Sequence, residues 1–227
     1  FAVDLPPGEY RVGSPIVLRD DEEINIELQA EEEKWIELIL EQPQGKKIRA
    51  GKGEITPARP GRRDGLWQGY GISDGLPPGS INAITQDNQG YLWFGTGFLN
   101  KGRGVIRYDG ANYVAYTTEN GLADDRVYCI VEDRQGCLWF GTEGGVTCYD
   151  GESMVTFTTA DGLVGDQIRS MLVDGEGNIW FGTGDSRWDG FGGTGLSRYD
   201  GVQFSTFTME DGLRSNDIIS MTPDEKG

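Results

Sequence analysis

A short motif that recurs along the chain constrains the fold of these 227 residues more than any other feature. Leu-Trp-Phe-Gly-Thr occurs at residues 92–96 and 138–142, and Ile-Trp-Phe-Gly-Thr occurs at residues 179–183, at spacings of 46 and 41 residues. Each copy is followed by Tyr-Asp-Gly, at residues 108–110, 149–151 and 199–201, and then by Asp-Gly-Leu or Asn-Gly-Leu, at residues 120–122, 161–163 and 211–213. Self-similarity at a period of about 20 to 50 residues is typical of solenoids, propellers and related arrays.

Within each repeat, four short runs of β-forming residues alternate with glycine turns, and the second repeat shows this best. Its runs are residues 127–131, 137–142, 146–149 and 154–158. Asp-Gly pairs such as Asp150-Gly151 signal two-residue hairpin turns, and the 36 glycines of the chain are about twice the usual share of about 7%. Four antiparallel strands in 41 to 50 residues are the signature of a β-propeller blade.

Two recurrent features of the repeat are expected to be structural. The tryptophan of each copy, at positions 93, 139 and 180, is expected to pack between neighbouring blades. The Asp or Asn that precedes Gly-Leu is expected to form a turn, because its side chain can accept hydrogen bonds from nearby backbone amides.

The repeats are not expected to complete a ring within this chain. Propellers have about four to eight blades, whereas residues 62–227 contain three full repeats, an outer strand at residues 63–70 and an innermost strand at residues 218–221. The sequence therefore predicts an all-β fold in which about three four-stranded antiparallel blades and partial ones form an arc of a larger β-propeller. A closed ring of four blades, completed by N-terminal strands, is the alternative.

The N-terminal third differs in pattern from the repeats. Leu-Pro-Pro-Gly-Glu-Tyr-Arg-Val at residues 5–12 resembles the end of a carboxypeptidase-regulatory or transthyretin-like β-sandwich, so residues 1–41 are expected to be the C-terminal portion of such a domain. Residues 42–61 are rich in glycine, proline and basic side chains and are expected to be a linker.

Composition excludes several function classes. The chain has no histidine, which rules out Ser-His-Asp and Cys-His catalysis and His-ligated zinc. Its net charge of -17 repels phosphate backbones and anionic lipid, so we expect no nucleic-acid partner and no direct membrane contact. No calcium-loop motif is present, and we expect neither a metal nor another cofactor.

Three cysteines, Cys129, Cys137 and Cys148, are an odd number without C-x-x-C spacing, so neither a disulfide framework nor a zinc site is indicated. Cys129 falls at a small inner-strand position and is expected to be structural. Cys148 takes the place of Arg107 and Arg198 in the other repeats, and is the thiol expected to be most exposed and reactive.

The three motifs, in this order, resemble two-component regulator propeller repeats, which read roughly Asp-Gly-Leu, Leu-Trp-x-Gly-Thr and Tyr-Asp-Gly. The resemblance covers residues 62–227. It implies the extracytoplasmic sensor region of a bacterial hybrid histidine kinase, or a related cell-surface protein, located in the periplasm or at the cell surface. It also implies rings of about seven blades and ligands derived from saccharides.

The topology of a four-stranded blade predicts where a ligand would bind. The loop that leads into a blade and the loop between its second and third strands emerge on one face, and length variation is confined to the second of these, at residues 97–103, 143–145 and 184–193. Variable loops on a rigid scaffold build binding surfaces. The candidate ligand-binding residues on this face are Asp125, Arg126, Asp166, Gln167, Asp185, Arg187, Trp188, Asp189, Asn216 and Asp217. Trp188 is either a stacking platform for a sugar or a loop anchor.

We therefore expect a non-catalytic sensor or scaffold that recognises a saccharide-like or other polar ligand, or a protein, with the remaining blades of the parent ring as further partners. No catalytic residue stands out. The alternative is a carbohydrate-active hydrolase or lyase that works through carboxylates, and two facing carboxylates about 5 to 10 Å apart would favour it. A purely structural adhesion module is the third possibility.

Overall fold

The computed structural model describes residues 45–59, 61–64, 67–97, 102–184 and 192–223, with side chains described except at positions 62–68. The chain divides into two units, residues 1–41 and 42–227. The β-sandwich expected for residues 1–41 lies outside the described residues.

Strands are the dominant element, and no α-helix occurs in the part of the chain that is described. The strands are β1 (Lys46–Arg49), β2 (Glu54–Pro57), β3 (Arg62–Asp64), β4 (Trp67–Gly69), β5 (Ile81–Gln86), β6 (Leu92–Thr96), β7 (Val105–Tyr108), β8 (Asn112–Tyr116), β9 (Val127–Glu132), β10 (Leu138–Thr142), β11 (Gly145–Tyr149), β12 (Ser153–Phe157), β13 (Ile168–Val173), β14 (Ile179–Thr183), β15 (Leu196–Tyr199) and β16 (Phe204–Phe207). Short 3-10 turns occupy Ile72–Asp74, Thr118–Asn120, Thr159–Asp161 and Met209–Asp211.

Three antiparallel meanders form the predicted blades. Blade 1 comprises β5 to β8, blade 2 comprises β9 to β12 and blade 3 comprises β13 to β16, each with its strands paired in chain order. The hairpin of β3 and β4 precedes them as a separate two-stranded sheet. The all-β propeller architecture expected from the repeats is confirmed.

Blades 1 and 2 each carry a fifth strand that the sequence did not suggest. β1 pairs with β12 on the outside of blade 2, and β2 pairs with β8 on the outside of blade 1. The two additions have the same register, with Lys46 opposite Thr156 and Glu54 opposite the equivalent Ala115. An outermost strand has a row of unpaired backbone groups. Here β1 and β2, which belong to the segment expected to be a linker, pair with those groups. These strands extend existing blades and do not build the fourth blade of a closed ring.

The motif tryptophans have the structural role expected of them. Trp93 is buried and lies 5.6 Å from the ring of Phe140 in blade 2. Trp139 is also buried and lies 5.8 Å from Phe181 in blade 3. Trp180, which has no complete blade beside it in the described residues, stacks at 5.6 Å on Phe207 of its own blade.

Each motif tryptophan also binds the turn before it. The indole Nε1–H groups of Trp93, Trp139 and Trp180 donate to the carboxylates of Asp87, Asp133 and Asp174 at 2.7, 2.7 and 2.8 Å. Burial acts to raise the pKa of Asp174, but hydrogen bonds from Trp180, Asn178 and Glu176 outweigh it and lower that pKa to about 2. The acidic turn and the Trp-containing strand therefore form one unit.

The Asn-Gly-Leu segment at residues 120–122 shows the structural role of the Asp/Asn-Gly-Leu motif. The Asn120 side chain accepts from the Thr117 backbone N–H at 2.9 Å and closes the 3-10 turn. Gly121 follows with a φ of 117°, which glycine adopts at little cost. Leu122 is buried in the core between blades 1 and 2. The turn-forming role expected for this position is confirmed.

The motif glycine lets strands and blades approach closely. A Cβ on Gly141 would lie 2.7 Å from the Cγ2 of Ile168 in blade 3 and would also meet the thiol of Cys129. Only a glycine leaves room for both neighbours.

Among the described residues, the arc is uncovered on the outward face of blade 1. Ile84 of β5 is 63% exposed, whereas Ile130 and Met171, on the innermost strands of the next blades, are 9% and 8% exposed. Residues 218–221, expected to form an innermost strand, lie beside blade 3 without being a strand. The Ile218 N–H donates to the Thr183 carbonyl at 2.7 Å, but the next strand of that blade is not among the described residues, so no ladder forms.

Candidate functional site

The two sets of loops predicted to share a face are joined by backbone hydrogen bonds. The Glu143 N–H, in the β10–β11 turn, donates to the Arg126 carbonyl at 3.2 Å, and the Gly145 N–H donates to the Asp166 carbonyl of the next blade at 2.8 Å. The loop leading into a blade and the loop between its second and third strands therefore meet, as the topology predicts.

Three of the candidate ligand residues have their side chains engaged in turns. Asp125, Asp166 and Asn216 occupy one position of successive repeats, and each accepts from the first amide of the preceding 3-10 turn. The donors are the backbone N–H groups of Thr118, Thr159 and Met209, at 2.7, 2.7 and 2.8 Å. These side chains hold the loops together.

Arg126 and Gln167, the next position of the repeat, belong to a polar cluster. We call it the Glu143 cluster, and its members are Asp124, Arg126, Tyr128, Glu143, Gln167 and Arg169. The Glu143 carboxylate accepts from the Tyr128 hydroxyl at 2.8 Å, the Gln167 amide at 3.1 Å and the Arg169 guanidinium at 2.9 Å. One carboxylate thus joins blade 2 to blade 3.

Local backbone geometry directs the aromatic and basic members of the cluster toward Glu143. The strand register shifts at one position of each innermost strand, and the residues at those β-bulges are Asn82, Tyr128 and Arg169. A bulge bends the strand and re-aims a side chain. In blade 1 the equivalent Asn82 donates to the Gly97 carbonyl at 2.7 Å.

Glu143 has no counterpart in the other blades. The positions that follow Gly-Thr in blades 1 and 3 are Gly97 and Gly184, and blade 2 alone places a carboxylate there. Arg169 spans the gap, because its Nε–H donates to the Gly184 carbonyl at 3.1 Å while its terminal nitrogen binds Glu143.

A second ion pair lies on the outer side of the cluster. Arg126 binds Asp124 through Nε at 2.9 Å and through its terminal nitrogen at 3.1 Å, and it lies 3.7 Å from Glu143. The Asp124 and Arg126 side chains are 27% and 25% exposed, against 11% for Glu143 and 10% for Arg169. The outer pair is therefore accessible to a ligand, and the inner pair supports it.

The charges of the cluster balance, and contacts and burial shift the pKa values of three of its side chains. Partial burial acts to raise the pKa of Asp124, but hydrogen bonds from Arg126 prevail and lower it. The same contact raises the pKa of Arg126, and burial raises the pKa of Tyr128. The Arg169 guanidinium covers the Tyr128 ring at 3.7 Å. The cluster presents fixed donors and acceptors, and one face of its aromatic ring is covered.

The remaining predicted residues are placed as follows. Asp217, at the position of Arg126 and Gln167, has a buried Oδ1 without a hydrogen-bond partner among the described residues. Asp185, Arg187, Trp188 and Asp189 lie outside the described residues. Asp124, Tyr128, Glu143 and Arg169 were not on the predicted list, although the single Glu143 in place of two glycines was visible in the repeat.

Within the described residues, no group of three or more Cys, Asp or Glu side chains is arranged to hold a metal ion. In the same residues, no helix has the length and apolar character needed to cross a membrane.

Repeated four-stranded antiparallel blades with paired loops on one face define a β-propeller repeat protein. Residues 75–98, 121–144 and 162–185 match the family model described as two component regulator propeller. These three segments therefore match two component regulator propeller repeats, as the motifs predicted. It matches none of the curated proteins.

Solved structures with this likeness are larger than the chain. The match to the extracellular domain of a one component system from B. thetaiotaomicron covers 69% of this chain and 23% of that chain, at 19% identity and a TM-score of 0.51. The match to the extracellular domain of a hybrid two component system from B. thetaiotaomicron covers 66% of this chain and 20% of that chain, at 21% identity and a TM-score of 0.49. The match to a catalytically inactive virginiamycin B lyase from Staphylococcus aureus covers 71% of this chain and 44% of that chain, at 14% identity and a TM-score of 0.40. The chain spans less than a quarter of the length of the first two. The first of these likenesses supports the propeller fold.

Proposed function

We propose that this chain is part of an extracytoplasmic sensor propeller and that its loop face recognises a neutral, saccharide-like polar ligand through the Glu143 cluster. The family of the repeats and the extracellular domains with a similar fold support a sensor region outside the cytoplasm. The observation that carries the proposal is a polar cluster that is not among the recurring contacts of the repeat. Blade 1 has a β-bulge at the same position as blade 2, with Asn82 and Gly97 in place of Tyr128 and Glu143.

The chemistry of the accessible pair favours a ligand rich in hydroxyl groups. Arg126 binds Asp124 in a fixed, bidentate arrangement, and the remaining guanidinium N–H groups and carboxylate lone pairs suit vicinal hydroxyls that both donate and accept. Opposite charges cancel within the cluster, so an ionic ligand gains little net attraction there.

The protonation of the cluster supports recognition over hydrolysis. A glycosidase needs one carboxylic acid that keeps its proton at working pH and one carboxylate. Asp124 has a lowered pKa, and Glu143 is ion-paired with Arg169. Asp124 is therefore not suited to be a general acid.

The uncovered face of blade 1 supports a further set of partners, the remaining blades of the parent ring. Ile84, 63% exposed, occupies the position that Ile130 and Met171 fill when another blade covers them. In this proposal, the blades hold the loops rigid, and any signal leaves through contacts outside this chain.

A titration of the complete extracytoplasmic region with a panel of neutral and acidic oligosaccharides tests the proposal. We expect calorimetry to detect binding of a neutral oligosaccharide, with the sugar recovered intact by mass spectrometry after a long incubation. Shortened or unsaturated products would support the hydrolase or lyase alternative. Preference for acidic oligosaccharides, or no binding across the panel, would contradict the ligand class.

A further inference from the structure

Cys137 and Cys148 occupy adjacent positions on two neighbouring strands of blade 2. Cys148 lies in β11 directly opposite Trp139 of β10, and Cys137 is two residues before Trp139. Side chains two residues apart on a strand point to the same face. The two cysteines are therefore diagonal neighbours on one face of the sheet.

The same pair of positions makes side-chain contact in blade 1. Tyr91 and Arg107 stand there in place of the two cysteines, and the Arg107 guanidinium carbon lies 4.7 Å from the Tyr91 ring centroid. In blade 2, Cys137 and Cys148 both pack against the hydrophobic cluster between blades 2 and 3. The repeat thus brings together two side chains at these positions, and in blade 2 both are thiols.

We propose that Cys137 and Cys148 form an intrachain disulfide that joins β10 to β11. Formation needs a disulfide oxidant, such as oxidised glutathione or a periplasmic thiol–disulfide exchange protein. One cysteine thiolate attacks the oxidant disulfide and releases one thiol. The second thiolate then attacks the resulting mixed disulfide and releases the other thiol, so that two electrons and two protons pass from the cysteines to the oxidant.

The third cysteine is excluded from the bond by its position. Cys129 lies on the innermost strand beneath Gly141, and burial raises the pKa of its thiol to about 12. Burial also raises the pKa values of Cys137 and Cys148, so thiol exchange in the folded chain is slow. The disulfide therefore forms while the chain folds. The expectation of a lone, exposed and reactive Cys148 is replaced by a half-buried pair.

The bond closes the hairpin that displays Glu143. Residues 137 and 148 stand at its open end, and the turn between β10 and β11 carries Glu143 at the other. A link across this hairpin limits its opening and holds the carboxylate in position between the blades. The proposal does not depend on whether the Glu143 cluster binds a ligand.

Peptide mapping of the 227-residue chain, refolded with oxidised and reduced glutathione, tests the bond directly. Trypsin separates Cys129, in residues 127–134, from the pair, which stays together in residues 135–169, and cleavage after Glu143 then separates Cys137 from Cys148. We expect alkylation in denaturant to label Cys129 alone and the two halves of the second peptide to remain linked until reduced. Three alkylated cysteines, a link to Cys129 or a link between chains would overturn the proposal.

A stability comparison provides a second readout. Cys148→Arg restores the residue of the other two blades, and Cys129→Ala is the matched control that leaves the pair intact. We expect reduction to lower the melting temperature of the wild type and of Cys129→Ala by about 5 °C, and to leave Cys148→Arg unchanged. An equal response to reductant in all three proteins would overturn the proposal.

Discussion

Replacing Glu143 by glutamine tests the energetic role of the Glu143 cluster. The carboxylate accepts three hydrogen bonds, from Tyr128, Gln167 and Arg169, at 2.8 to 3.1 Å. The amide of Glu143→Gln keeps one acceptor oxygen and turns an NH2 group toward these donors, and it leaves Arg169, only 10% exposed, without its counter-charge. Hydrogen bonds to charged groups contribute about 1.5–3 kcal/mol each when removed from a buried partner.

The expected loss is smaller than the sum of three such bonds. Arg169 keeps its hydrogen bond to Gly184 and its stacking on Tyr128, and water can reach the edge of the cluster. We therefore expect Glu143→Gln to lower the free energy of unfolding by about 2 kcal/mol, which corresponds to about 4–8 °C in melting temperature for a chain of this size.

Urea unfolding followed by tryptophan fluorescence measures this change. Glu152→Gln, at an exposed position of the same blade, is the matched control and is expected to change stability by less than about 0.5 kcal/mol. A double-mutant cycle with Tyr128→Phe should show a coupling of about 1 kcal/mol. If Glu143→Gln were as stable as the control, the carboxylate would not hold blades 2 and 3 together and the reasoning would be refuted.

Three further predictions concern the blade scaffold. Gly141→Ala should lower the free energy of unfolding in urea by about 2 kcal/mol, because its Cβ would lie 2.7 Å from a methyl group of the next blade. Gly71→Ala is the control, because its Cβ would lie 3.9 Å from the nearest atom, and it should cost less than about 0.5 kcal/mol. Equal losses in the two variants would contradict the packing argument. The pKa of Asp174 is about 2 in the folded chain, below the ordinary 3.8, so its contribution to stability is present above pH about 4 and is lost as the pH falls through 2. Asp174→Asn should therefore flatten the pH dependence of the free energy of unfolding between about pH 4 and 2. An unchanged profile would contradict this role of Asp174. In urea unfolding, Ile84→Lys should leave this chain nearly as stable as the wild type, and Ile130→Lys should destabilise it by several kcal/mol. In the parent protein both variants should be destabilising. A large effect of Ile84→Lys in this chain would mean that the face of blade 1 that carries Ile84 is already covered.

The motifs predicted the scaffold because each one encodes a local contact that recurs. Trp139 needs an acidic turn before it and an aromatic neighbour in the next blade, and both are written in the repeat. The three consecutive residues Asn120, Gly121 and Leu122 likewise define a turn. Such features are visible in one sequence because the chain repeats them.

The fifth strands were not predictable in the same way. The Lys46–Arg49 segment has one apolar residue and three basic ones, so its composition indicates a solvated linker. Its partner, β12, is more than a hundred residues away, and the pairing depends on an edge that only the folded blade presents.

The candidate site was predicted in part. Candidate residues that recur in every repeat proved to be structural, and those that differ between repeats reach the cluster. Asp125 and Asp166 recur at one position, and their side chains hold turns. Arg126 and Gln167 differ between repeats, and they reach the Glu143 cluster. A residue common to all blades therefore indicates structure, and a departure such as Glu143 is the better signal of a site. The orientation of Tyr128 depends on a β-bulge that its sequence does not announce.

The most direct test of the account is the affinity of the complete extracytoplasmic region for the oligosaccharide selected from the panel, measured by calorimetry for two arginine variants. Arg126→Gln removes the accessible donor of the Glu143 cluster. Arg134→Gln is the control, because Arg134 lies in a turn at the other end of blade 2 and contacts the Gly175 carbonyl. We predict that Arg126→Gln weakens binding at least about tenfold, equivalent to about 1.4 kcal/mol, and that Arg134→Gln binds as the wild type does. Equal affinity for both variants would contradict a recognition site at the Glu143 cluster.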